Sequence, residues 1–349
     1  MHPLQNRDYA LVFAANNAFS PGFLVALASA LATSNLDQFN IYLLHDHNEA
    51  IDDMKISAQS LCQRFNFPKE RFDTIPVDLQ AFESCDAYAG NYLAYARMHA
   101  IHTLKESKIL YLDSDMLILG DLAELIQSIP DTATCAAALD SVILTHNNDG
   151  YLLDGEPGPG DIRYFNSGLL ILDTKKCHEI KLFDQFIELT TRVENAQYAD
   201  QSFLNIILKD NWFEISKKWN RMTSPGNSAS IISESGTTQL LHYITQKKPW
   251  RHSTPDCANI LWHTVAKSIN VEVDTAVYRT LLNQVRILKL RKRWGIMQLK
   301  HVYYKLRGKT GKKSKQLNIT EDIIARAPMM DNWLTIHGFN KIPESLRVS

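Results

Sequence analysis

Two carboxylates one residue apart, Asp113-Ser114-Asp115, follow directly on the apolar run Ile109 to Leu112. A strand that delivers such a pair at its carboxyl end can hold a hard divalent cation, because Mg2+ and Mn2+ take oxygen ligands and are commonly shared with substrate phosphates. A cation there would neutralise a diphosphate leaving group, where negative charge develops as a sugar–phosphate bond breaks. By itself the pattern is common, since aspartates near strand ends more often form turns or cap helices. His45-Asp46-His47 also has metal-ligand composition, but it ends a strand in a polar segment and reads as a turn. The chain has no G-x-x-x-x-G-K-[ST], no G-x-G-x-x-G and no H-E-x-x-H, which argues against P-loop, Rossmann and zinc-protease chemistry.

The elements that would carry these residues alternate between strand and helix. Tyr9 to Ala14 is a short apolar run bounded by Asn16-Asn17, which predicts a buried strand and a turn. Ser20-Pro21 opens a helix through Leu24, Leu27, Ala28 and Leu31, with the serine as cap. Ile41 to Leu44, Ile109 to Leu112, Thr134 to Leu139 and Gly168 to Leu172 read as further strands. Met54 to Phe65 and Lys181 to Leu189 read as helices, the second with Leu182, Phe186 and Leu189 on one side. This pattern predicts an α/β fold with a mostly parallel central sheet. Ligands of such sheets bind beyond the carboxyl ends of the strands, where Asn16, Asp113 and Asp140 all fall. A helix from Asn91 carries Leu93, Ala96, Ala100, Ile101 and Leu104 on one face with Arg97 in its middle. A buried arginine there requires a partner. Thr145 to Asp161, rich in Gly, Pro, Asn and Asp, has the length of a binding loop or lid.

The formal net charge of −1 conceals a polarised molecule. Between Thr275 and Thr320 there are thirteen Lys or Arg and no acidic residue, leaving 24 basic against 38 acidic side chains elsewhere, a net of −14. The segment Arg286 to Lys315 interleaves its charges with Trp294, Tyr303, Tyr304 and aliphatic residues. That is the composition of an interfacial helix on anionic lipid, although nucleic acid could also bind it. Five scattered cysteines without a C-x-x-C pair point to a reducing compartment rather than a disulfide framework. No segment reads as a signal peptide or a membrane span.

Six ordered blocks then resemble glycosyltransferase family 8, the retaining enzymes that include bacterial lipopolysaccharide galactosyl- and glucosyltransferases and the glycogenins. The blocks are Leu11-Val-Phe-Ala-Ala-Asn-Asn-Ala-Phe19, Tyr95-Ala-Arg97, Lys108-Ile-Leu-Tyr-Leu-Asp-Ser-Asp115, Tyr164-Phe-Asn-Ser-Gly-Leu-Leu-Ile-Leu-Asp173, Asp200-Gln201, and His242-Tyr243 followed by Lys248-Pro-Trp250. The resemblance covers roughly Ala10 to Trp250 and implies the GT-A type nucleotide-diphospho-sugar transferase fold. Residues 1–265 would be the catalytic domain and 266–349 a basic, helical C-terminal region at a membrane surface.

The resemblance also implies roles. Asp113, Asp115 and His242 would ligate Mn2+, with Mg2+ as the alternative, although a lone histidine after an apolar run is ordinarily a hydrogen-bonded core residue. The donor would be bound by Ala14, Asn16, Asn17, Asp113, Ser114, Asn166, Ser167, Gly168 and Lys248. An asparagine at position 16 can still accept the uracil N3–H, so a UDP-hexose is the expected donor. Arg97, Asp140, Asp200 and Gln201 would act at the sugar, although Asp140 and Asp200 could instead form a turn and a helix cap. Since Gln201 is a poor nucleophile, retention implies front-face attack through an oxocarbenium-like transition state. The implied activity is transfer of galactose or glucose to a glycan acceptor, lipid-linked as in lipopolysaccharide synthesis, by a cytoplasmic protein peripheral on the inner membrane through residues 275–320, with no nucleic acid involved. The alternatives are transfer to a protein or another polysaccharide, or a catalytically weak UDP-binding protein at the membrane.

Overall fold

The structure is a computed structural model that describes residues 7–47, 49–83, 85, 92–142, 163–192, 198–209, 211–223, 238–252, 257–271 and 273. The long loop expected over Thr145 to Asp161 and the basic segment 275–320 lie outside the described residues. The strands are β1 (Tyr9–Ala14), β2 (Phe39–Asp46), β3 (Phe72–Val77), β4 (Lys108–Asp113), β5 (Met116–Ile118), β6 (Cys135–Ala137), β7 (Leu169–Asp173), β8 (Trp212–Glu214), β9 (Arg221–Thr223) and β10 (Leu240–Tyr243). The helices are α1 (Ser20–Thr33), α2 (Asp52–Arg64), α3 (Ala96–Thr103), α4 (Leu122–Gln127), α5 (Thr174–Glu179), α6 (Leu182–Thr190), α7 (Asp200–Ile207) and α8 (Cys257–Ser268). None of the helices among the described residues is long and apolar enough to cross a membrane.

The described residues divide into two compact units. The first draws on Met1–Phe23, Ser34–Ser114 and Asp121–Asn220, the second on Leu24–Thr33, Asp115–Gly120 and Arg221–Ser349. The first is built on a seven-stranded sheet in the order β3-β2-β1-β4-β7-β6-β8. Its centre consists of continuous apolar runs, buried in β1, β2 and β4, as expected of parallel strands covered on both faces. Strands β3, β2, β1 and β4 run parallel, whereas β7 is antiparallel to both β4 and β6. That reversal matters for the site. It puts the beginning of β7 at the carboxyl end of β4, where the Asp113 N–H donates to the Gly168 carbonyl at 2.8 Å.

Aromatic side chains fix the helices that face this end of the sheet. Tyr95 stacks on Phe82 with centroids 5.0 Å apart, and Phe186 of α6 sets its edge against Tyr95 at 6.1 Å and meets Phe203 of α7 at 5.3 Å. All four are buried, so the α3, α6 and α7 backbones are held by large contacts rather than by helix propensity.

The second unit contains the three-stranded sheet β5-β10-β9, with β10 antiparallel to β5 and parallel to β9. Ser29 of α1 accepts the Ile118 N–H at 3.0 Å, and the Tyr243 hydroxyl donates to the Ala258 carbonyl of α8 at 2.6 Å.

Some local expectations are corrected. Ser20 is not a cap but the first residue of α1. A 3-10 turn at Asn17–Phe19 precedes it, and Asn16 caps that turn by accepting the Phe19 N–H at 3.1 Å. Lys181 lies outside α6 at φ 52°, so the helix begins at Leu182. The helix expected from Asn91 starts later, as a 3-10 turn at Leu93–Tyr95 that continues into α3.

Candidate active site

Arg97 organises the first unit's polar end. α3 projects it from an otherwise apolar face, and its side chain is only 3 % exposed. Its Nη2 donates to Asp113 Oδ1 at 3.1 Å, and its Nε lies 3.0 Å from Asp200 Oδ2. Nε also donates to the Ala94 carbonyl at 3.0 Å, Nη1 donates to the Ser167 carbonyl, and the guanidinium sits 4.2 Å above the Tyr111 ring. The partner that the apolar stripe required is therefore a pair of aspartates, one at the end of β4 and one at the start of α7.

Asp200 was open to reading as a helix cap. It is instead the first residue of α7, and the cap position falls to Ala199 at φ 50°, ψ −127°. Alanine rarely adopts that conformation, and such strain of roughly 1–3 kcal/mol persists where surrounding packing imposes it. The carboxylate is thereby turned inward. Burial raises its pKa and the Arg97 charge only partly offsets this, with Asp113 adding to the rise, so that it is pushed up to about 6.

Around this pair lies a closed network of amides. Asp140 Oδ2 accepts from Asn166 Nδ2 at 3.1 Å and from Gln201 Nε2 at 3.2 Å. Gln201 Oε1 accepts from Asn166 Nδ2 at 3.1 Å and from the Ser167 N–H at 2.9 Å. Asn166 Oδ1 accepts from the Gly168 N–H at 3.1 Å and from Asn220 Nδ2 at 2.8 Å. Asp140, Asn166, Ser167, Asp200 and Gln201 are all buried, so these bonds exchange for little water and hold each side chain in one orientation. Asp140 also forms a turn, accepting the Val142 N–H at 2.8 Å, so that expectation and the network coexist.

At the neighbouring strand ends, Ala14 of β1 lies in register with Asp113 of β4, and the Ser114 hydroxyl donates to the Ala14 carbonyl at 2.5 Å. Asn16 is half-buried and Asn17 exposed, the latter donating to Glu49 at 2.9 Å and to the Ala50 carbonyl at 3.1 Å. The first unit thus gathers Ala14, Arg97, Asp113, Ser114, Asp140, Asn166, Ser167, Gly168, Asp200 and Gln201 at strand ends and the helix starts beside them.

In the second unit, strand pairing creates a different constellation. His242 pairs with Met116 across β10 and β5, and the Tyr243 N–H donates to the Asp115 carbonyl at 3.0 Å. This register sets His242 Nε2 3.2 Å from Asp115 Oδ1. Lys248, buried beside them, donates from Nζ to Asp115 Oδ2 and to the Tyr243 carbonyl at 2.7 Å. Burial would raise the Asp115 pKa, but the Lys248 charge and then His242 outweigh it and hold the carboxyl well below the usual carboxylate range. Asp115 is ionised at any ordinary pH.

The donor set suits a divalent cation on one further observation. Asp115 Oδ1 is fully buried and accepts no well-aligned hydrogen bond, although His242 Nε2 is within 3.2 Å. A fully buried carboxylate oxygen left without a partner beside an imidazole nitrogen offers two donor atoms to a divalent cation. Among the described residues, His45-Asp46-His47 forms no metal-holding group. His45 and Asp46 instead end β2, paired with Pro76 and Val77 of β3, and the turn begins at His47.

Sequence reasoning missed Tyr111 beneath Arg97, Asn220 on Asn166, and Asn205. The last lies one helical turn after Gln201, a spacing that would have placed it on the same face of α7.

The chain matches the family model described as Glycosyl transferase family 8 over residues 10–254. It is 28% identical to the glycosyltransferase GlyF of Streptococcus pneumoniae over 196 residues, covering 54% of this chain and 46% of that relative. It is 29% identical to the lipopolysaccharide 1,2-glucosyltransferase of Escherichia coli over 168 residues, covering 45% of this chain and 48% of the relative. The chain therefore spans about half the length of these curated relatives. Among solved structures it is similar to the galactosyltransferase LgtC in complex with donor and acceptor sugar analogues, with a TM-score of 0.64 at 20% identity, over 76% of this chain and 98% of that one. That likeness establishes the GT-A fold.

Proposed function

Because the chain belongs to glycosyl transferase family 8, we propose that it is a retaining hexosyltransferase that moves galactose or glucose from a UDP-sugar to a glycan acceptor. The observation that carries this reading is the bridge from half-buried Asp113 through buried Arg97 to buried Asp200, set against the Asp140–Asn166–Gln201 network. Sugar hydroxyls both donate and accept, and short polar side chains in fixed orientations at strand ends are what recognises them.

Each residue then has a part. Asp140, Asn166 and Gln201 bind the hexose hydroxyls, and the 166–168 backbone approaches the ring at Gly168, which adds no side chain there. Arg97 places positive charge beside the reacting sugar. Both ends of the Gln201 amide are already engaged, which supports an orienting role and front-face attack over attack by Gln201 itself. Asp113, Asp115 and His242 are the residues that would hold Mn2+, with Mg2+ as the alternative. When bound, the cation supplies charge neutralisation of the UDP leaving group. Lys248 binds the same diphosphate as a point charge. Ala14, Asn16 and Asn17 receive the nucleoside.

For the acceptor, the name of the Escherichia coli relative supports a lipopolysaccharide-type glycan. The basic, aromatic-bearing segment 275–320 supports action at an anionic cytoplasmic membrane surface. Release of UDP from UDP-galactose compared with UDP-glucose tests the donor. Sedimentation with phosphatidylglycerol vesicles tests the membrane role, which is lost if deletion of 275–349 leaves binding unchanged.

A further inference from the structure

We propose that Asn205 is a positioning residue for the transfer reaction, acting as a side-chain surrogate for a missing strand. The inference rests on the function proposed above only for its kinetic readout. It begins with the backbone between Tyr164 and Asn166. There the chain pairs with residues 138–140, the Asn166 N–H donating to the Ala138 carbonyl and the Asp140 N–H to the Tyr164 carbonyl, both at 2.9 Å. In extended chain, alternate residues direct their backbone groups to opposite sides. Phe165 therefore turns its N–H and C=O away from residues 138–140.

No strand among the described residues pairs with Phe165 on that side, because β4 ends at Asp113, whose N–H makes its last ladder bond to Gly168. Phe165 is fully buried, so unpaired backbone groups there would be strongly unfavourable. Asn205 fills the gap. Its Oδ1 accepts the Phe165 N–H at 2.8 Å, and its Nδ2 donates to the Phe165 carbonyl at 2.9 Å. The same Nδ2 donates to the Gln201 carbonyl at 2.9 Å, one turn earlier on α7.

This one amide thus ties the approach to Asn166, Ser167 and Gly168 to the helix that carries Asp200 and Gln201. It lets the sheet open beyond β4 without orphaning buried backbone, and it sets the distance between the two halves of the sugar-facing network. The nucleoside-facing residues at the end of β1 are not among its partners. Only a group with one donor end and one acceptor end satisfies both the N–H and the C=O of Phe165, so chemistry as well as size is specified.

Asn205→Leu and Asn205→Asp in the full chain test the assignment. Amide hydrogen exchange is read at Phe165 and Ser167, with β1 amides as reference, and thermal unfolding verifies folding. UDP affinity is measured with UDP alone, and kcat and KM with UDP-galactose or UDP-glucose. The expected result for Asn205→Leu is exchange at least tenfold faster at Phe165 and Ser167 with β1 unchanged, UDP affinity within about twofold of wild type, and kcat at least tenfold lower. Asn205→Asp loses activity at pH 7.5 and recovers it as pH falls, since only the protonated acid can donate to the Phe165 carbonyl. It carries the test should Asn205→Leu not fold. Unchanged exchange and kcat, a loss of UDP affinity equal to the loss of kcat, or an Asn205→Asp profile parallel to wild type overturns the assignment. A wild-type chain that turns over neither donor while exchange still rises in Asn205→Leu refutes the hexosyltransferase reading and leaves the surrogate-strand role standing.

Discussion

Replacing Asp200 by asparagine separates what this carboxylate does for the reaction from what it does to stability. In the folded chain Asp200 is buried, and even with Arg97 3.0 Å away its pKa is pushed up to about 6, from 3.8 for an ordinary aspartate. The folded state therefore holds the proton more tightly than the unfolded chain does. Stability falls as pH rises from about 4 to about 6 and stays low above that. The size follows from 1.36 kcal/mol per pH unit, so ionised Asp200 costs the folded state about 3 kcal/mol at pH 7. Asparagine resembles the protonated acid in shape and carries no charge to desolvate. Asp200→Asn is thus expected to be more stable than wild type by up to about 3 kcal/mol at pH 7.5, or roughly 4–5 °C in Tm for a chain of 349 residues. The gap should shrink by pH 5 and vanish near pH 4, and UDP release should fall because Arg97 loses the carboxylate charge paired with it. Urea unfolding of both proteins across pH 4.5–8 reads this directly. A variant less stable than wild type at pH 7.5, or a difference that does not change with pH, would refute the reasoning. A residue that destabilises its own fold and is kept at a strained helix start is the trade expected of a working site.

Other consequences follow from the second unit and from the thiols. Lys248→Met leaves the buried Asp115 charge without its ammonium, a loss of about 3–5 kcal/mol. Since a cation at Asp115 would replace the lost ammonium charge, added Mn2+ should raise the Tm of this variant more than that of wild type, and equal shifts by calorimetry would contradict cation binding at Asp115. Burial pushes Cys62 and Cys177 up to about 12 and raises Cys135 well above the usual thiol range. Native alkylation by iodoacetamide at pH 7.5, followed by mass spectrometry, should therefore spare these three and modify half-buried Cys85 ahead of them.

The parts of this molecule legible from its sequence were those written in continuous runs. β1, β2, β4 and β7 are apolar stretches that admit little but buried strand, and Asp113-Ser114-Asp115 stands visibly at the end of one. Arg97 was legible as a charge requiring a partner, because it interrupts an apolar helix face. β5, β8 and β9 were not legible, since three residues give no periodicity to detect, whereas the equally short β6 lies within the longer small-residue run Thr134 to Leu139. β3 contains Pro76, which is tolerated because β3 lies at the edge of its sheet. The antiparallel direction of β7 has no local signature, yet it is what brings Gly168 to Asp113. The inward turn of Asp200 depends on the backbone of Ala199, whose side chain gives no hint of a positive φ. Asn205 resembles any polar residue in a helix until the unpaired backbone of Phe165 is seen beside it.

The central claim, metal-dependent transfer from a UDP-hexose, is tested most directly by UDP release from UDP-galactose and UDP-glucose, with and without Mn2+, in wild type and Asp115→Ala. Circular dichroism verifies the fold of the variant. Release is expected from one of the two donors only when Mn2+ is present, reduced at least about a hundredfold in Asp115→Ala. Release that is indifferent to Mn2+, or undiminished in the variant, would contradict it.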